Sequence, residues 1–434
     1  MWDCLRPTEY GANLTTPKMS ERSQESVKYF TLPTGHTLIC MQARTPVGCF
    51  GFTVKGGSRY ETGTALHGLA HFVEHTIFKG TTRRRAHHIN SRMEAVGGEL
   101  NAFTTKEEIT FYTIFPKGNL ARAAQLLADL ASNATFPERE LAKEREVVCE
   151  EISSYLDSPA ELVFDEFENR IFAGSPLGHS ILGTEKNLEG FTSETCRTFV
   201  NERFTPAGMV LFYCGSESPA RANAVIGRYF AETGTGATPG NGISTAETPS
   251  PSLLPQFAES KETGAHQAHT VIGAQVPGIF SDMRTPLALL TNIIGGPGMN
   301  SRLNTELRER RGLVYSADAS LSLMADCGLF TAYFGCGPED MPRCSELTAH
   351  IIDELRRNPP EGRRLAAAKK QYLGQLTVAA ASMEQNILSA AHSALITGEV
   401  PPAEKVRSEI EAVTSEQLSH AASLLSATSR LTLC

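Results

Sequence analysis

No stretch of this sequence approaches the roughly 18 apolar residues that a membrane-spanning helix needs. The best run, 287–294, is short and broken by Thr291 and Asn292. The 10 cysteines include no C-x-x-C pair, and no His/Cys cluster has zinc-finger spacing, so the common structural zinc modules are excluded. The chain is too long to need a disulfide framework, and its thiols are expected to be reduced and buried. An excess of positive charge is also missing. Lys and Arg number 40 against 48 Asp and Glu, for a net charge of -8, which argues against a partner that is nucleic acid. Residues 1–26 lack a charged segment followed by an apolar one, so no secretory signal is recognised. Asp3, Glu9, Glu21 and Glu25 argue against an acid-poor transit peptide. Residues 1–26 read as a disordered lead-in with Met19 as an alternative start, and a cytoplasmic location is expected.

What is present fits a folded protein. The 434 residues are 41% hydrophobic and 20% charged, which is enough apolar material for a sizeable core and length enough for two or three domains. Residues 27–230 read as alternating elements: strands at 35–41 and 48–55, helices at 64–79 and 87–96, one strand over 101–115, helices at 120–132 and 137–156, and a strand closing at 204–215. Residues 231–262 are rich in Gly, Thr, Ser and Pro and read as a linker. Beyond it the order repeats faintly, with strands at 268–275, two strands within 317–335, a helix from 286, a long helical stretch over 366–398 and a final strand at 431–434. The expected fold is α+β, with two homologous domains, 27–230 and 263–434. Each is an antiparallel-rich sheet with helices packed on one face.

The chemistry is concentrated in His71-Phe72-Val73-Glu74-His75, placed on the helix 64–79. His71 and His75 are four residues apart and project from one face, where both can ligate one zinc ion. Glu74 can lie beside the metal without ligating it, take a proton from water there and deliver it to a leaving amine. This is the H-x-x-E-H pattern. The alternative is an ordinary pair of helix histidines. His67 is also four residues before His71, but lacks a glutamate placed in the same way. A catalytic zinc needs a third ligand from elsewhere. The helix 137–156 offers Glu144, Glu146, Glu150 and Glu151. Leu141, Glu144, Val148, Glu151 and Tyr155 share an inward stripe, whereas Glu146 and Glu150 fall on a solvated face. Two inward carboxylates are costly without a partner, so the third ligand is Glu151 or Glu144, and the other supports it.

With those residues in place, the sequence resembles the pitrilysin-type inverzincin peptidases, family M16. It is most similar to the subgroup of the mitochondrial processing peptidase β subunit and its bacterial homologues. The resemblance rests on Gly68-Leu69-Ala70-His71-Phe72-Val73-Glu74-His75, Phe78-Lys79-Gly80-Thr81, Gly97-Gly98-Glu99-Leu100-Asn101-Ala102-Phe103-Thr104 and the run from Glu144 to Ile152. It continues through Gly295–Leu303 and Leu307–Tyr315. It implies zinc held by His71, His75 and Glu151, with Glu144 as the supporting carboxylate. It also implies that Arg308 and Tyr315 bind substrate and stabilise the developing oxyanion, as a cation and a phenol can. Without the resemblance, Arg308 would be one of several arginines on a solvated helix end. His179, within Pro176–Gly183, is similar to a family loop and reads as structural. Arg83-Arg84-Arg85 reads as a solvated turn, and His87 and His88 as bystanders.

The resulting expectation is a zinc-dependent endopeptidase acting on peptides or unfolded segments, with one Zn2+ per chain. Asn101 and Ala102 would pair with substrate by strand addition. The resemblance further implies a closed chamber of four homologous units, of which this chain supplies two. A homodimer is therefore expected, with Arg308 and Tyr315 acting at the partner's zinc; a heterodimer with a motif-deficient partner is the alternative. The rival classes are a non-catalytic or partner-dependent subunit of the same fold and a structural zinc protein. The second would need a closed four-ligand site, and no fourth ligand is apparent.

Overall fold

Strands that are covered on both faces read as nearly continuous apolar runs, and Val47–Lys55 is such a run, with all but its first residue buried. The computed structural model describes residues 27–232 and 254–434. The expected lead-in, 1–26, and the middle of the expected linker, 233–253, lie outside the described residues.

In chain order the first half contains β1 (Lys28–Thr31), β2 (Thr37–Gln42), β3 (Val47–Lys55), α1 (Leu69–Thr76), α2 (Ala86–Glu94), β4 (Glu99–Thr104), β5 (Glu108–Pro116), α3 (Leu120–Asn133), α4 (Glu138–Leu156), α5 (Pro159–Ile171), α6 (Glu185–Glu189), α7 (Ser193–Arg203), β6 (Met209–Gly215) and α8 (Pro219–Glu232). The second half contains β7 (Ala258–Lys261), β8 (Ala268–Pro277), α9 (Arg284–Gly295), β9 (Val314–Leu323), β10 (Cys327–Cys336), α10 (Met341–Arg357), α11 (Gly362–Ala379), α12 (Met383–Thr397), α13 (Ala403–Ala412), α14 (Ser415–Leu424) and β11 (Ser429–Leu433).

The repeat that was faint in the sequence is plain in the sheets. The first runs β1-β2-β6-β3-β5-β4 and the second β7-β11-β8-β10-β9. Each has one parallel pair, β2 with β6 and β7 with β11, followed by antiparallel neighbours. This order explains why part of the expected linker, 258–261, is a strand: β7 occupies the place in its sheet that β2 occupies in the first.

Each half packs its own helices on one face of its sheet. Phe50, Phe52, Phe111 and Phe115 meet Leu126, Leu127 and Val73 in the first core; Ile272, Phe330 and Phe334 meet Leu287, Leu290 and Ile352 in the second. Beyond the expectation, the opposite face of each sheet is covered by one helix from the other half. On α12, Ile387, Ala390, Ala391 and Ala394 pack against Ile39, Cys49, Tyr112 and Phe212. On α5, Val163 and Phe167 pack against Val271, Leu431 and Leu433. The exchange is reciprocal and welds the halves together, since a buried side chain of this size contributes about 1.5–3 kcal/mol.

Two expected elements are divided. The strand read over 101–115 is the hairpin β4–β5. Its turn is organised by Thr105, whose hydroxyl oxygen accepts from the backbone N–H of Glu107 and Glu108. The helical stretch read over 366–398 is α11 and α12, and Ser382 caps the second by accepting from Gln385 N. The nine described cysteines form no disulfide, and no helix among the described residues is long and apolar enough to cross a membrane.

Candidate metal centre

The helix expected over 64–79 is in three pieces: a 3-10 turn at Thr64–Leu66, α1, and a 3-10 turn at Ile77–Lys79. Gly68 causes the first break. It has φ 94°, the left-handed region that glycine enters at little cost. A Cβ there would come within 2.7 Å of Leu182 O and 2.8 Å of Gly183 Cα, so the glycine lets the loop at 178–183 lie flush against the start of α1. With no side chain at Gly68 to cap the helix, Glu61 does so from a distance. Its carboxylate accepts from Gly68 N at 2.9 Å and Ala70 N at 2.8 Å, satisfying amides that the first turn leaves without intrahelical partners.

α1 packs against α4 and aims its histidines at that helix. One ligand atom each from His71, His75 and Glu151 lies within 4.8 Å of the other two. Glu151 Oε1 is 3.7 Å from His71 Nε2, and Glu151 Oε2 is 3.4 Å from His75 Nε2. The two imidazoles meet edge to face, with centroids 4.6 Å apart. Glu144 sits behind them. Its Oε2 is 3.5 Å from His75 Nδ1 and its Oε1 is 2.5 Å from Lys79 Nζ. The sequence left Glu144 and Glu151 as alternatives on spacing; the geometry puts Glu151 at the shared point and Glu144 behind His75. The α4 stripe is inward at Leu141 and Val148, while the Glu151 side chain is 43% exposed and marks the open side of the cluster.

Electrostatics separate the two histidines. Burial pushes the His71 imidazole well below its ordinary range, with His75 adding to the shift and Glu151 opposing it. His71 Nδ1 is buried and has no hydrogen-bond partner among the described residues. Hydrogen bonds to Glu144 and then Glu151 push His75 up to about 9. Glu144 is drawn up by burial, but the His75 and Lys79 contacts outweigh that and leave it below the usual carboxylate range. The His75 hydrogen bond also lowers Glu151. Glu74 is raised by burial, although its Oε2 accepts from Thr104 Oγ1 at 2.6 Å.

The donor set suits zinc. Two imidazoles and one carboxylate from two helices, open on one side, are the ligands of a catalytic rather than a closed structural site. Glu144 is already matched by Lys79, whereas Glu151 lies on the open side between the two rings, where a cation can reach it. A neutral His71 can give its nitrogen lone pair. The Glu144–His75 contact is the carboxylate–histidine pairing that orients a ligand ring.

Other expected site residues are placed apart. Asn101 and Ala102 lie on β4, the edge strand of the first sheet. Tyr315 is 80% exposed on β9, the edge strand of the second. Arg308 is exposed in a π-helical turn, Asn304–Glu309, and its guanidinium reaches Met299 Sδ at 3.8 Å. Among the described residues, no hydrogen bond or ion pair joins Arg308 or Tyr315 to the metal cluster. His67 is no part of the cluster; it stacks on His179 with centroids 3.7 Å apart, and His179 Nε2 lies 3.0 Å from Glu61 Oε2. Arg84, read as part of a solvated turn, pairs with the buried Asp129.

Sequence reasoning missed Glu61, Lys79, Thr104 and the buried charges of the β4–β5 turn. Lys79 could have been found four residues after His75, at helical spacing. Glu107 accepts from the Arg59 guanidinium at 2.9 Å, and Arg59 also reaches Asp326 at 2.6 Å across the two halves. Nothing local in the sequence announces that pairing.

The comparisons with known proteins agree with one another. Residues 39–185 match the family described as Insulinase (Peptidase family M16), and residues 190–372 match the one described as Peptidase M16 inactive domain. A Bacillus subtilis (strain 168) protein named an uncharacterized zinc protease is 30% identical, over 85% of this chain and 88% of its own. A Mycobacterium bovis protein of the same description is 31% identical over 85% and 83%. Among solved structures, a Pseudomonas fluorescens M16 inactive-domain protein has TM-score 0.85 at 18% identity, covering 94% of this chain and 97% of its own. A Helicobacter pylori protease has TM-score 0.84 at 19% identity, covering 94% and 99%. At those identities the structures speak to the two-domain α+β fold alone.

Proposed function

Because the chain belongs to the insulinase family of peptidases, family M16, we propose that it is a zinc-dependent endopeptidase that hydrolyses peptides or unfolded segments. The observation that carries the reading is the convergence of His71, His75 and Glu151 on one point. A zinc ion held there would polarise the scissile carbonyl and make nearby water more acidic.

The chain's own residues do the rest. Glu74 takes a proton from the attacking water and returns it to the leaving amine. Thr104 donates to Oε2 of Glu74, which fixes the carboxylate and leaves Oε1 to receive the proton. Glu144, anchored by Lys79, holds the His75 ring through Nδ1. Asn101 and Ala102 sit on a strand with no neighbour on its outer side among the described residues, so an extended peptide can add there. Recognition of that kind reads backbone more than side chains and gives broad specificity.

Arg308 and Tyr315 donate to the charge that develops on the carbonyl oxygen. Their exposure, with no hydrogen bond or ion pair to the cluster among the described residues, supports action at a second copy's zinc, in a homodimer with two equivalent sites. A partner-dependent subunit is the second reading, and the same observation favours it: among the described residues the pair makes no hydrogen bond or ion pair at its own chain's cluster. Metal analysis with cleavage of a quenched peptide, before and after chelation, tests both. The peptidase reading expects about one zinc per chain and cleavage that chelation abolishes and zinc restores. Zinc with no cleavage by the chain alone supports the partner-dependent subunit, and a chain that holds no zinc defeats both.

A further inference from the structure

We propose that Glu61, acting through His179 and Lys106, is a positioning residue that fixes the metal-bearing helix against the substrate strand. The proposal deepens the peptidase reading and rests on it. The Glu61 side chain is fully buried, at 0% exposure. Burial raises its carboxyl above the usual range, while His179 and the two α1 amides pull the other way. A buried carboxylate is an expensive way to cap a helix when a serine or aspartate at the N-cap would serve.

The third contact of Glu61 gives the reason. His179 Nε2 lies 3.0 Å from Glu61 Oε2, and the backbone of the His179 loop is gripped by Lys106. The Lys106 ammonium donates to His179 O at 2.5 Å and Leu177 O at 3.2 Å. Lys106 lies in the turn of the β4–β5 hairpin, two residues after Thr104, which donates to Glu74. The hairpin therefore holds α1 at two points. Thr104 holds it directly at the general base, and Lys106 holds it through His179 and Glu61 at the helix start. An ordinary cap would stabilise α1 alone. This arrangement sets α1 relative to β4, and with it the distance from Glu74 to a peptide lying on that strand. Displacing a reacting group by an ångström can cost about a hundredfold in rate.

The test uses the full chain with zinc. Glu61→Gln keeps the size but presents an amide to one of the N–H donors or to His179. Its control is Glu138→Gln, because Glu138 caps α7 by accepting from Ser193 N at 2.9 Å, away from the metal cluster. Steady-state cleavage of a quenched peptide gives kcat and KM. Competition with a chromophoric zinc chelator gives metal affinity, and a thermal melt gives stability. Glu61→Gln is expected to lower kcat about 30-fold with KM within about twofold, and to weaken zinc binding about tenfold. Glu138→Gln should change the melt only. His179→Ala should lower kcat about tenfold and His179→Gln, whose amide reaches the same carboxylate, should recover most of it; this pair decides the matter if Glu61→Gln fails to fold. A Glu61→Gln enzyme with kcat and zinc affinity within about threefold of wild type overturns the proposal, as does a His179→Gln variant no better than His179→Ala. A wild-type chain that binds no zinc overturns the peptidase reading and this one together. A cleaving wild type beside an unimpaired Glu61→Gln variant overturns this one alone.

Discussion

The two halves solve one packing problem with different chemistry. α9 follows β8 as α1 follows β3, and α11 follows α10 as α4 follows α3. At the contact between α1 and α4, two imidazoles face carboxylates. At the matching contact between α9 and α11, Asn292 Nδ2 donates to Gln375 Oε1 at 2.7 Å. Two amides satisfy each other and need no ion. Two imidazoles and a carboxylate that converge on one point offer electron pairs a cation can accept. The frame is therefore indifferent to the chemistry placed on it. The candidate metal centre lies where the side chains meeting between these helices are converging electron-pair donors.

The comparison would break most sharply at Glu74. Glu74→Gln keeps shape and the Thr104 contact, and should lower kcat about a thousandfold with zinc content unchanged. Asn292→Ala, at the matching contact, should leave kcat within about threefold. Comparable losses from both changes would mean that the second half takes part in the chemistry at this contact. Next in size, a mixture of Glu74→Gln and Arg308→Ala chains should regain activity that neither has alone. After free exchange of equal amounts, random dimers would place about a quarter of all sites in working order. No recovery, with exchange shown by mixed-mass dimers, rejects action across copies.

How far these features were legible depends on the reach of the interaction. His71, Glu74 and His75 lie within one turn and could be read from spacing, and the α4 stripe reduced four glutamates to two. Strands β2, β3, β8 and β11 lie within about two residues of the bounds expected from their apolar runs. Local pattern failed where the cause was distant. The break at Gly68 exists because Gly183 approaches from more than a hundred residues away. The β4–β5 turn falls inside the single strand expected over 101–115; its Lys106, Glu107 and Glu108 are each buried, and their partners lie on other elements. The exchange of α5 and α12 cannot be seen in either helix, since its amphipathic face does not say which half it will cover.

The buried charges at the seam give a third comparison, now in stability. Arg59 is 3% exposed and bridges Glu107 of the first half to Asp326 of the second. Arg59→Met would leave Glu107 buried without its cation, at a cost of about 3 kcal/mol. Arg228→Met, which breaks an exposed pair with Glu232 on α8, should leave stability nearly unchanged. Denaturant titration separates the two. Equal losses would show that the seam is open to solvent.

The smallest effect concerns the exchanged helix itself. His392 of α12 lies 3.1 Å from Glu108 of β5, and that hydrogen bond raises the imidazole above its ordinary value while burial opposes the rise. A histidine with a raised folded pKa adds stability that is fully present below its unfolded value, about 6.5. That stability is lost as the pH climbs through the folded value. The ring is 35% exposed, so screening should hold the contribution to about 1 kcal/mol or less. Wild type should therefore lose more stability than His392→Gln between pH 6 and pH 8.5, chosen to lie about half a unit below and two units above the unfolded pKa. The deficit of the variant, clear at the lower pH, should shrink at the higher. A deficit that is the same at both would mean that Glu108 holds α12 through a neutral ring.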